Sequence, residues 1–239
     1  MNLTNFLFML IPALVALGGG ILAMFWHPDR HMRSLIQHFA AGVVLAALAV
    51  ELLPEIDREH APGIVLIGAF ALGSLGMYLM RLWTEHMEEA SAHQAESDKL
   101  DTGLLLATFI DIIVDGFIIG AGFAAGGETG PILALGLSVE LLFLGLALTS
   151  ESMKGWRIVG VSAALGVTVL LSALLGSWLL AGASHAVIAA ALAFSAAALL
   201  YLVTDELLVE AHEVEEKPIS TLVFFSGFLI FWSIQLYGS

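Results

Sequence analysis

The chain is predicted to be an all-α integral membrane protein of eight transmembrane helices. Three observations carry that expectation. Of 239 residues, 59% are hydrophobic and only 13% are charged, against about a quarter charged in an ordinary soluble domain. The mean hydropathy is +0.94. Apolar runs matching the ~20 helical residues that cross a hydrocarbon core recur along the chain, and they lack the alternation of a lipid-facing barrel strand.

The first run, 3–25, is too long for a cleaved signal peptide. It lacks a basic start and is followed by Trp26 and His27 rather than a small-residue cleavage site. His27-Pro28-Asp29-Arg30 separates it from a second run at 36–56, and Asp57-Arg58-Glu59-His60 separates that from a third at 62–83. The connector 84–101 is acidic and has few large apolar residues, as a solvated loop does. Runs 102–124 and 131–153 flank Gly126-Gly127-Glu128-Thr129-Gly130-Pro131. Runs 157–182, 186–210 and 219–237 complete the set, the last after the polar stretch from Glu213 to Pro218. The whole of 1–239 reads as a single transmembrane domain.

Orientation follows from the basic residues, which favour the cytoplasmic side. Arg30, Arg33, Arg81, Lys99, Lys154, Arg157 and Lys217 lie in the connectors of one side or at the span ends that border them, and only Arg58 falls on the other. Both termini are therefore expected outside, with 84–101 in the cytoplasm of a multi-pass protein of the plasma membrane, or the inner membrane of a bacterium. Trp26, Trp83, Trp156 and Trp232 lie near span ends, where interfacial aromatic belts belong. The net charge of −14 offers no footprint for phosphate backbones, so nucleic acid is not an expected partner. The absence of cysteine excludes disulfides and thiolate metal sites. No Gly-rich phosphate loop ending in Gly-Lys-Ser/Thr is present, which argues against an ATPase.

The second and seventh runs resemble each other. Phe39/Phe194, Ala41/Ala196, Leu45/Leu200, Glu51/Glu206, Leu52/Leu207, Leu53/Leu208 and Glu55/Glu210 coincide without gaps. Opposite orientations make this an inverted repeat, an architecture of alternating-access transporters. A fainter echo relates Asp111…Gly116 to Glu140…Gly145, which gives three helices, a central pair, then three helices.

Three acids lie near the middle of apolar runs: Asp111 and Asp115, four residues apart on one helix face, and Glu140 in the next run. An ionised carboxylate at that depth costs ~2.5–3.5 kcal/mol on insertion scales. No Lys, Arg or His accompanies them at that level. A divalent cation bound by oxygen ligands supplies the missing charge. Protonated acids packed between helices, and a proton relay, are the alternatives. Gly116 and Gly120 form a GxxxG beside them, which permits close helix approach. Glu206 and Glu51 are placed towards the two mouths, with Asp205 beside Glu206, as inlet or outlet ligands.

Phe39 to Glu55, ending Leu-Leu-Pro-Glu, resembles the second helix of the ZIP family of divalent-metal transporters. Eight spans, outward termini, a long connector after the third span and the 3+2+3 inverted repeat are similar to that family too. Its fourth helix typically carries His-Asn-x-x-(Asp/Glu)-Gly, where this chain has Asp111-Ile112-Ile113-Val114-Asp115-Gly116. Its fifth typically carries His-(Asn/Glu/Asp)-x-Pro-(Glu/His)-Gly, where this chain has Glu140-Leu141-Leu142-Phe143-Leu144-Gly145. The resemblance implies an atypical member with His ligands replaced by acids. One metal site would remain at Asp111, Asp115 and Glu140, and a second would be erased by Ile112, Leu141 and Leu144. Glu206 matches an acid that the family uses near the inner side of its metal centre, and is counted with Asp111, Asp115 and Glu140 as a candidate metal residue. Oxygen ligands without imidazole tilt preference towards Mn²⁺ or Fe²⁺, with Zn²⁺ still accepted.

His86 and His93 of the acidic connector could contact metal loosely on the cytosolic side, although a solvated linker is the simpler reading. The expected function is secondary transport of a divalent metal cation of the Mn²⁺, Fe²⁺ or Zn²⁺ class. That cation is cargo, and no organic cofactor or enzyme activity is expected. The alternative is a non-transporting ZIP-like membrane metal sensor or regulatory subunit. Partners are the metal ion and the lipid bilayer, with a homodimer left open.

Overall fold

A computed structural model describes residues 3–26, 28–92, 102–147, 155–212 and 218–238. These residues are helical apart from short turns, with no strand among them. Helix α1 is Leu3–Phe25. Helix α2 runs as α-helix over Arg30–Ala47, passes through a π-helical turn at Leu48–Leu52, and resumes over Leu53–Arg58. Helices α3 to α6 are Gly63–Ala92, Thr102–Ala125, Thr129–Ala147 and Trp156–Leu179. Helix α7 combines His185–Tyr201, a π-helical turn at Leu202–Leu207 and Leu208–Ala211, and α8 is Pro218–Gly238.

Seven of these helices are long and apolar enough to cross a membrane. Helix α5 is the shorter one, apolar over Thr129–Leu144. Residues 148–154, which complete its expected span and lead into the next, lie outside the described residues. All five tryptophans, including Trp178, are exposed on the bundle's outside. A bilayer protein turns such apolar surface towards lipid, which explains the long run of exposed Ile, Leu, Phe and Tyr along α3 and α8.

Two boundaries differ from the apolar runs, and both for polar reasons. Helix α2 begins at Arg30 because Asp29 caps it, its Oδ1 accepting from the Met32 backbone N–H at 2.7 Å. Helix α3 continues to Ala92, so the first part of the expected 84–101 loop is helical. Glu85, Met87, Glu88, Glu89 and Ala90 are strong helix formers. Arg81 Nε donates to Glu85 Oε1 at 2.6 Å, one turn further along.

The two π-helical turns fall at matching places of the sequence repeat, so that Glu51 and Glu206 occupy equivalent turns. The packing follows the same correspondence. Helix α1 packs on α5 as α6 packs on α4; α2 packs on α8 as α7 packs on α3; α2 meets α5 as α7 meets α4. Small residues set these crossings. A Cβ on Gly73 would lie 2.8 Å from the Phe194 carbonyl oxygen, and Gly227 abuts the carbonyl of Phe39, the repeat partner of Phe194. Gly166 against Ala13 O and Gly116 against Val169 O leave equally little room, at 2.7 and 2.6 Å for an added Cβ.

Candidate metal centre

The hairpin of α4 and α5 sets the depth of the central acids. Its turn holds Gly126 at φ 94° and Gly127 at φ 59°, backbone that disfavours side-chain-bearing residues. Gly127 stands 12 residues after Asp115 and 13 before Glu140, so antiparallel helices bring the two acids to one level. Asp111, one turn from Asp115 on the same face, joins them. One carboxylate oxygen from each of Asp111, Asp115 and Glu140 lies within 4.8 Å of the other two. No other such group of three His, Asp or Glu residues occurs among the described residues.

Asp115 and Glu140 are buried, at 2% and 6% exposure, and Asp111 is partly buried. Asp115 Oδ2 is a buried atom with no hydrogen-bond partner among the described residues. On the same two helices, Ile112, Ile118, Leu137 and Leu141 are all fully buried. Oxygens bound to one hard cation at about 2.1–2.4 Å stand no more than about 4.8 Å apart, so the spread suits a single ion.

The remaining acids are placed around this trio and not within it. Glu206, half-buried in the π-helical turn of α7, is near enough to Asp115 for their charges to oppose each other. Asp205 pairs with the Arg81 guanidinium of α3. Glu51 is buried in the π-helical turn of α2, where its Oε1 accepts from Thr129 Oγ1 at 2.8 Å. His86 is exposed on α3, and His93 lies outside the described residues.

The ends of the bundle are fastened by different contacts. At one end Ser34 Oγ donates to Ala211 O at 2.7 Å, and the rings of His38 and His212 are 5.3 Å apart. Arg81–Asp205 joins the C-terminal part of α3 to the C-terminal part of α7 on that same side. At the opposite end Glu59 Oε2 meets His185 Nδ1 at 2.5 Å, linking the end of α2 to the start of α7.

The trio could be found from sequence because acids stand out in apolar runs. The π-helical turns and the Arg81–Asp205 pair could not. The sole local hint of a turn was Pro54, just after Leu48–Leu52, yet α7 forms its turn with Val209 at the matching position. Compared with known proteins, the chain matches no family model and no curated protein.

Proposed function

We propose that the protein is a secondary transporter that carries a divalent metal cation through the Asp111–Asp115–Glu140 centre, as an atypical relative of the ZIP transporters. The observation that carries this reading is the convergence of three carboxylates inside an apolar bundle. Three charges of one sign gathered in an apolar interior are costly, and a proton or a bound metal relieves that cost. Three oxygen donors with the spread of one coordination sphere favour the metal. An all-carboxylate set suits Mn²⁺ and Fe²⁺ before Zn²⁺.

Eight crossings, with the termini outside and Ser34, His38, Arg81 and His212 at the cytoplasmic end, are part of the same reading. The matched π-helical turns and matched helix pairings support an inverted repeat. The packing also suggests which parts move. Helices α1, α4, α5 and α6 pack closely on one another and hold the trio; α2, α3, α7 and α8 form a second group. Helices α4 and α5 thus travel with α1 and α6 against the second group. Glu51 and Glu206, both on the second group, are then reached from the trio in opposite states of the cycle.

The test is Mn²⁺ uptake into liposomes containing the purified protein, with D115N as the comparison. The reading requires saturable uptake by the native chain and its loss in D115N. Mn²⁺ binding without uptake would move the protein to the sensor reading, and uptake that survives D115N would place the route elsewhere.

A further inference from the structure

Arg81 of α3 stands beside the acids of α7. Its guanidinium pairs with Asp205 across 124 residues of sequence and, through Nε, with Glu85 Oε1 at 2.6 Å on its own helix. Its charge also bears on Glu206 and Tyr201. Glu206 in turn bears on Asp115. A line of charged groups thus runs from the buried trio to the surface: Asp115, Glu206, Arg81, Asp205, Glu85.

We propose that Arg81 is a tethered counter-cation that closes the cytoplasmic outlet of the metal route, which opens only when the Arg81–Asp205 pair parts. This rests on reading the trio as the transport site. A dication leaving Asp115 by way of Glu206 meets a guanidinium bound to the acids it would use next. Arginine keeps its charge and presents five donors in a fixed fork, so it competes for carboxylates as the metal does. Unlike the metal, it cannot diffuse away. The side chains of Arg81 and Asp205 are 41% and 30% exposed. The pair is part-buried and bridges two helices of the second group, where it can form or part as those helices shift.

The absence of cysteine makes a single introduced thiol a background-free probe. Thr108, half-buried one turn before Asp111 on α4, is the site for it. T108C protein in liposomes is treated with a charged, membrane-impermeant thiol reagent from the side of His212. With Arg81 and Asp205 in place, labelling is slow. R81Q and D205N each accelerate it by about tenfold, as expected when a closed state loses one contact holding it shut. The exchanged pair R81D/D205R restores the slow rate. Should R81Q fail to fold, D205N and R81K carry the test, with R81K intermediate because it keeps the charge without the fork. Unchanged labelling in D205N and R81Q, or an exchanged pair as fast as the single variants, would overturn the proposal. The readout needs no metal, so it fails or succeeds independently of Mn²⁺ uptake.

Discussion

Burial gives the individual acids distinct roles. Asp115 has a carboxylate oxygen in an apolar interior with no hydrogen-bond partner among the described residues, a costly state for the ionised group unless a cation or a proton arrives. Glu51 is also buried, less deeply, and receives the Thr129 hydroxyl at 2.8 Å. Replacing Thr129 by Val keeps the shape and removes that donor. It should destabilise the protein by about 1–3 kcal/mol, the cost of leaving a buried acceptor unsatisfied, read as a lowered midpoint of thermal unfolding. Glu51→Gln, which retains an acceptor for Thr129, should lose less. Asp111, Asp115 and Glu140 were legible in the sequence because charge in a 20-residue apolar run has no cheap structural reason to exist. The partners Arg81 and Thr129 were not, because they lie 124 and 78 residues from the acids they bind, and pairing at that range is a property of the fold.

Among the elements, the apolar runs located the helices, while their ends were set by polar chemistry that hydropathy ignores: the Asp29 cap on α2 and the Arg81–Glu85 pair on α3. The π-helical turns were beyond reach of sequence reading, since one extra residue per turn leaves no compositional mark. Such turns in α-helices often accompany functional positions. Here each carries one repeat-related glutamate. Deleting exposed Ala49 from the Leu48–Leu52 turn should convert it to plain α-helix. Because the turn holds one extra residue, its removal keeps the flanking helices in register, so that what is lost is the widened turn itself. Uptake should be lost while the trio, on α4 and α5, still binds Mn²⁺. Close crossings give a second prediction at this scale. Gly116→Leu places side-chain atoms where a Cβ would already be 2.6 Å from Val169 O. Overpacking of this kind costs about 1–3 kcal/mol or more, again visible in thermal unfolding.

For the whole molecule, the helices divide into one group that bears the trio and another that bears Glu51, Asp205, Glu206 and Arg81. Movement between groups predicts that fixing them together stops transport without emptying the site. Gly136 of α5 and Ala47 of α2 face each other across the boundary, with a Cβ on Gly136 coming 3.2 Å from that of Ala47. Oxidised A47C/G136C should bind Mn²⁺ yet carry none, and a reductant should restore uptake. The central claim, that the trio holds a divalent cation, is tested most directly by counting metal. Equilibrium dialysis of the purified protein against Mn²⁺ should give one tightly held ion per chain, and none in D111N/D115N/E140Q that still folds. Stoichiometric Mn²⁺ retained by that triple variant, or no Mn²⁺ on the native protein, would contradict the account.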